Sequence, residues 1–156
     1  MTVINGVLVL TGLLSAGVVY GTDVFFAVVG RTALAHTSEA ALSETMGRLH
    51  EGGDARMPVF GATALVSTLA LVFTTGWGSR PSLFAGLAFV GLVTQLAAYL
   101  RVAQPINRAQ TAAARQGVTP SAARDLQTRW DSVITLRAVG MAVGILGLGL
   151  CALWVR

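Results

Sequence analysis

The chain has no lysine, one cysteine and few charges of either sign, and each shortage removes a class of function. Charged residues make up 12% of the 156 positions, about half of what a soluble domain carries. Mean hydropathy is +0.69, more apolar surface than one small core can hide, so the composition points to an integral membrane protein. The single cysteine, Cys151, forbids an internal disulfide and leaves the redox compartment open. There is no CxxC, no HExxH, no cluster of histidine with cysteine and no nucleotide-binding glycine loop. All eleven basic residues are arginine, against seven acids. With the Ala, Gly and Val bias, this reflects a GC-rich coding sequence rather than a mechanism. The resulting positive charge suits loops facing anionic headgroups, not nucleic acid.

What is present is four apolar runs, over residues 3–29, 58–76, 82–100 and 130–154. Each approaches the ~20 residues needed to cross the hydrocarbon layer. The first lacks a basic leader and a small-residue cleavage site and is too long for a signal peptide, so it reads as a retained span. Pro58 opens the second run at a favourable first-turn position. Trp77, Trp130 and Trp154 fall at span ends, where aromatic belts sit. The predicted fold is all-α, a single four-helix membrane bundle with both termini on the outer side.

Arginine sets the orientation. The connection between the first two runs holds Arg31, Arg48 and Arg56, and that between the last two holds Arg101, Arg108, Arg115, Arg124 and Arg129. The other side has only Arg80 and Arg156. The positive-inside rule makes the long connections cytoplasmic, in a plasma (inner) membrane. Residues 37–51 read as a helix capped by Thr37 or Ser38. Residues 105–130 read as a polar helix that extends the third run or leads into the fourth. A solvated face accounts for most of these charges. Gly17/Gly21 and Gly140/Gly144 each form a GxxxG, suited to packing within the bundle or to a homo-oligomer.

Two charges lie inside apolar runs: Asp23 in the first and Arg137 in the last. A lone charge there costs roughly 2.5–3.5 kcal/mol on insertion scales. Counting ~1.5 Å per residue from Arg31 and Arg129 places both about 12 Å below the cytoplasmic surface, so an ion pair is expected. It serves either as a structural clasp or as part of a site. Gln95, Tyr99, Gln104 and Asn107 descend toward the same surface, and Trp130 shares a helix face with Ile134 and Arg137. Tyr20 lies one turn deeper than Asp23, and His50 and Arg56 precede the second run. Asp131 fits either the pocket or a helix-dipole role, and His50 either a site or a surface position. Polar groups thus gather at one end, as in a bundle that admits an amphipathic small molecule.

The segments GTDVFFAVVGRTAL, QPINRAQ and RWDSVITLR, spread over nearly the whole chain, resemble the anthrone oxygenase-like family of small four-helix membrane proteins. The likeness rests on Gly21, Phe25 and Phe26 in the first span, Pro105 and Asn107 after the third, and Trp130 followed by Arg137. Asp23, and Asp-Ser-Val-Ile-Thr-Leu between Trp130 and Arg137, are departures from the family pattern. The resemblance implies oxidation of an anthrone-like polyketide to a quinone by O2, with no metal or flavin. Within such a mechanism we assign His50 or Asp23 as the base, Arg137 as anion stabiliser and Asn107 as a donor. Gln104 would donate to the substrate, and Tyr99, Phe26 and Trp130 would stack on its rings, with Tyr20 and Asp131 completing the binding set. The same residues also suit a non-catalytic membrane subunit or binding protein. A small transporter fits less well, because its polar groups should reach both leaflets.

Overall fold

A computed structural model describes residues 3–154, and all regular structure within them is helical. Four long helices form the bundle: α1 (Val3–Ala35), α2 (Glu39–Thr74), α3 (Arg80–Gln116) and α4 (Ala123–Trp154). Each is long and apolar enough to cross a membrane. At ~1.5 Å per residue they extend about 48–55 Å, well beyond ~30 Å of hydrocarbon. The polar stretches on either side of the apolar runs are therefore continuous with the helices and lengthen them beyond what a crossing needs.

Those ends explain where the helices outrun the apolar runs. The segment over residues 37–51 is continuous with the second run, and Ser38 is the cap, accepting from the Ala41 amide at 3.2 Å. Pro58 accordingly lies inside α2 rather than at its start. Its ring nitrogen cannot donate, so the Asp54 carbonyl one turn earlier lacks its helical partner. Residues 105–130 divide: α3 runs on to Gln116, stops at the left-handed Gly117 (φ 65°), and α4 begins at Ala123.

Two short π-helical segments interrupt the ladder, Phe26–Gly30 in α1 and Tyr99–Ala103 in α3. The second ends two residues before Pro105, whose ring would crowd the Arg101 carbonyl in a regular helix. In the first, the missing Cβ of Gly30 leaves room for the Phe26 ring, which a Cβ would meet at 2.6 Å. Both segments deliver an aromatic side chain to the cavity described below, and such bulges often mark functional positions.

Both described chain ends lie at the hairpin over residues 75–79. Asn5 donates to the Thr74 carbonyl at 3.5 Å, and the Arg80 guanidinium covers Trp154 at 4.6 Å. Arg156 lies outside the described residues. At the opposite end Arg124 donates to the carbonyls of Leu34 and Thr37, tying α4 to the end of α1. Packing of α3 on α4 depends on glycine. A Cβ at Gly91 would lie 2.6 Å from the Gly140 carbonyl, and one at Gly147 would lie 2.8 Å from the Phe84 carbonyl. Gly140 and Gly144 thus serve packing within the bundle, whereas Gly17 and Gly21 have open space beside them.

Candidate functional site

At the polar end of the bundle the four helices separate around a cavity of about 1130 Å³. That is near the upper end of small-molecule pockets, roughly 300–1,000 Å³. Its deep wall is the ion pair. Arg137 Nη2 donates to Asp23 Oδ1 at 2.6 Å, with the carboxylate 1% exposed. The pair does not exhaust either partner. Among the described residues, Asp23 Oδ2 and Arg137 Nε are buried without a hydrogen bond of ordinary length, although Gln95 lies beside the carboxylate.

A second network stands above this pair. Asp54 Oδ1 accepts from the Tyr99 hydroxyl at 2.9 Å and from Asn107 Nδ2 at 2.8 Å. Asn107 Oδ1 in turn accepts from the Trp130 indole at 2.9 Å. Three helices are joined by these three bonds, and the indole is held in one orientation. Arg137 lies 5.5 Å from the Tyr99 ring centre and 5.9 Å from that of Trp130, within cation–π range.

The aromatic wall is continuous. Phe26 meets Trp130 edge to face at 5.3 Å, and His50 lies against the same indole at 5.4 Å. His50 is 7% exposed, inside a helix rather than on a loop surface. Neither ring nitrogen makes a hydrogen bond of ordinary length among the described residues, although Gln110 lies beside it. A buried polar group left without a hydrogen bond costs about 1–3 kcal/mol, so the ring is held chiefly by its packing on Trp130.

Of the residues singled out by sequence, Asp23, Phe26, His50, Tyr99, Gln104, Asn107, Trp130 and Arg137 all line this one cavity. Tyr20 does not; it packs against the mid-bundle core of Ala16, Val19, Ala64, Leu92 and Met141. Asp131 faces away, accepting from Gln127 Nε2 at 2.9 Å. Gln127 Oε1 accepts from Gln110 at 3.3 Å, so Asp131 ends a chain of amides that leads back toward His50. Trp130 is 4% exposed, a cavity wall rather than a membrane-interface residue, whereas Trp77 and Trp154 stay exposed.

The sequence reading missed Asp54, which lines the cavity, and Gln110 and Gln127, which connect His50 to Asp131 behind it. Asp54 had one readable signal: it lies four residues after His50, on the same helix face. Among the described residues no three His, Cys, Asp or Glu side chains converge as a metal site. Set against protein-family models, curated proteins and solved structures, the chain matches none of them.

Proposed function

We propose that this is an integral membrane protein that binds a planar, weakly acidic aromatic compound in the cavity and oxidises it with O2. One observation carries the reading: buried His50, with no hydrogen bond of ordinary length at either ring nitrogen, shares its cavity with the Arg137–Asp23 pair, whose Arg137 Nε and Asp23 Oδ2 also lack one among the described residues. The likeness of three segments to the anthrone oxygenase-like family gains support because Phe26, Asn107, Trp130 and Arg137, distant in sequence, line the same space. By the positive-inside rule, the arginine-rich end bearing the cavity faces the cytoplasm across the inner membrane.

An anthrone loses a proton from its methylene carbon to give an aromatic anion. His50 takes that proton, since Asp23 is already held by Arg137. Arg137 Nε donates to the resulting oxyanion, and Asp23 Oδ2 accepts from a neighbouring phenolic hydroxyl. Trp130 and Phe26 lie against the rings. The anion passes one electron to O2, and the carbon radical and superoxide combine to a peroxide. Cleavage of the O–O bond with loss of the remaining methylene hydrogen releases water and leaves a second carbonyl. The balance is one anthrone plus one O2 to one quinone plus one water. Asn107 has Oδ1 and one Nδ2 hydrogen engaged, so it positions Trp130 and Asp54 in this scheme. Gln104 lines the cavity with its amide beside the Tyr99 hydroxyl, and the second amide hydrogen would donate to the substrate.

The test is to add a reduced anthrone to the purified protein and follow oxygen uptake with quinone absorbance. Turnover in the wild type that is lost in Arg137→Ala supports the site. Turnover unchanged in Arg137→Ala and His50→Gln contradicts it. Ring binding without any oxygen uptake favours a binding protein, the one alternative that the same cavity supports.

A further inference from the structure

The cavity also opens sideways, and where it opens bears on the kind of ligand. Helices α2 and α3 touch at both ends. Near the hairpin Ser82 Oγ donates to the Val72 carbonyl at 2.7 Å. At the polar end Thr111 Oγ1 donates to the Gly47 carbonyl at 3.2 Å. There the backbones are so close that a Cβ on Gly47 would lie 2.5 Å from the Gln110 carbonyl oxygen. Glu51 and Arg115 add a 2.9 Å ion pair across the same junction.

Between these contacts the helices part. Gly53 and Gly61 of α2 line the cavity with open space where a Cβ would be. Facing them, Leu96 and Leu100 of α3 also line it, and Leu100 is 47% exposed. Residues that both line a cavity and reach the surface form its rim. Gly61 lies within the apolar run over residues 58–76, so in the membrane-spanning reading this part of the rim would face acyl chains. The cavity volume of about 1130 Å³ exceeds what a compact ring system needs, and Gly61, Leu96 and Leu100 are among the residues lining it.

We infer that the ligand is a ring compound bearing an aliphatic chain, taken laterally from the bilayer. The ring sits against Trp130 and His50, and the chain lies in the α2–α3 cleft past Gly61 and Leu100. This deepens the ring-binding reading above and rests on it. Buried His50, with no hydrogen bond of ordinary length, marks where the polar end goes, and the apolar rim marks where the chain leaves. Because lipid tails are as apolar as the cleft, the chain adds little affinity. Its signature is tolerance: a closed cavity would exclude it.

The experiment measures equilibrium binding to the full chain in phospholipid nanodiscs, with affinities expressed per mole fraction of probe in the bilayer. The probes are an anthraquinone carrying a methyl group and the same ring carrying a long alkyl chain. In the wild type the two should bind within about threefold of each other, a difference under ~1 kcal/mol. Gly61→Trp, which fills open space, should weaken the chain-bearing probe at least about tenfold and leave the methyl probe unchanged. Leu100→Trp, at the exposed rim, is the second variant and should do the same. Exclusion of the chain-bearing probe by the wild type overturns the inference while the ring site stands. So does equal weakening of both probes in variants that remain monodisperse. Failure of the methyl probe to bind the wild type overturns the ring-binding reading and this inference with it.

Discussion

Arg137 and Asp23 are 114 positions apart in the sequence and meet at 2.6 Å in the bundle, the carboxylate fully enclosed. Neither charge is tolerable alone at that depth. Together they join α1 to α4 and form the base of the 1130 Å³ cavity. Asp23 Oδ2 and Arg137 Nε make no hydrogen bond of ordinary length among the described residues, and the proposed function gives both of them a partner in the ligand.

Removing one partner should cost far more than removing both. Asp23→Asn leaves a buried guanidinium without its counter-charge, and such changes cost about 3–5 kcal/mol. Thermal unfolding in detergent should show a clear drop in Tm for Asp23→Asn and for Arg137→Gln. The double variant should recover most of it. Additive losses in the double variant would contradict a direct ion pair.

His50 should behave oppositely. Its ring nitrogens make no hydrogen bond of ordinary length, so His50→Phe replaces a costly polar group with an apolar ring of similar shape against Trp130. Stability should hold or rise, since exchanging an unsatisfied polar group for an apolar one is neutral or favourable. Oxygen uptake with an anthrone should fall about 10²–10⁴-fold, the usual worth of a general base. A stable, fully active His50→Phe would remove His50 from the mechanism.

Asn107 is held on both sides, by Asp54 and by Trp130. Asn107→Leu leaves the indole N–H and a carboxylate oxygen each short of a partner, at about 1–3 kcal/mol per group. In a Trp77→Phe, Trp154→Phe background the emission of Trp130 should shift and ring binding should weaken. Unchanged emission would mean that the Asn107 bond does not set the environment of the indole.

Much of this was legible because helices in a membrane keep strict accounts of length and charge. Apolar run length gives the number of spans, and counting residues from Arg31 and Arg129 gives Asp23 and Arg137 a common depth. The gathering of Tyr99, Asn107 and Trp130 follows from the same count. Asp54 was hidden because GGDAR reads as a loop, whereas the segment stays helical through Pro58 and turns the carboxylate inward. The π-helical segments at Phe26 and Tyr99 carry no hydropathy signal, since one extra residue in a turn leaves composition unchanged. Trp130 resembled a belt residue because span-end position cannot show which face of the helix is enclosed.

Glycine positions should divide in two. Gly147→Val would drive Cβ into the Phe84 carbonyl and the Ala88 amide of α3, both at 2.8 Å, and should prevent stable folding. Gly17→Ala and Gly21→Ala meet nothing within 4 Å and should change stability by no more than about 1 kcal/mol. Expression yield and Tm across the three variants check this. A severe loss at Gly21 would reveal a contact that the isolated chain does not make.

The most direct measurement is an experimental structure of the protein in lipid with an anthraquinone bound as an unreactive product. The account predicts a single ring system against Trp130 and Phe26, with one carbonyl oxygen within hydrogen-bonding distance of Arg137 Nε and the opposite edge near His50. A ring bound on the outer face of the bundle, or an empty cavity at saturating ligand, would contradict it.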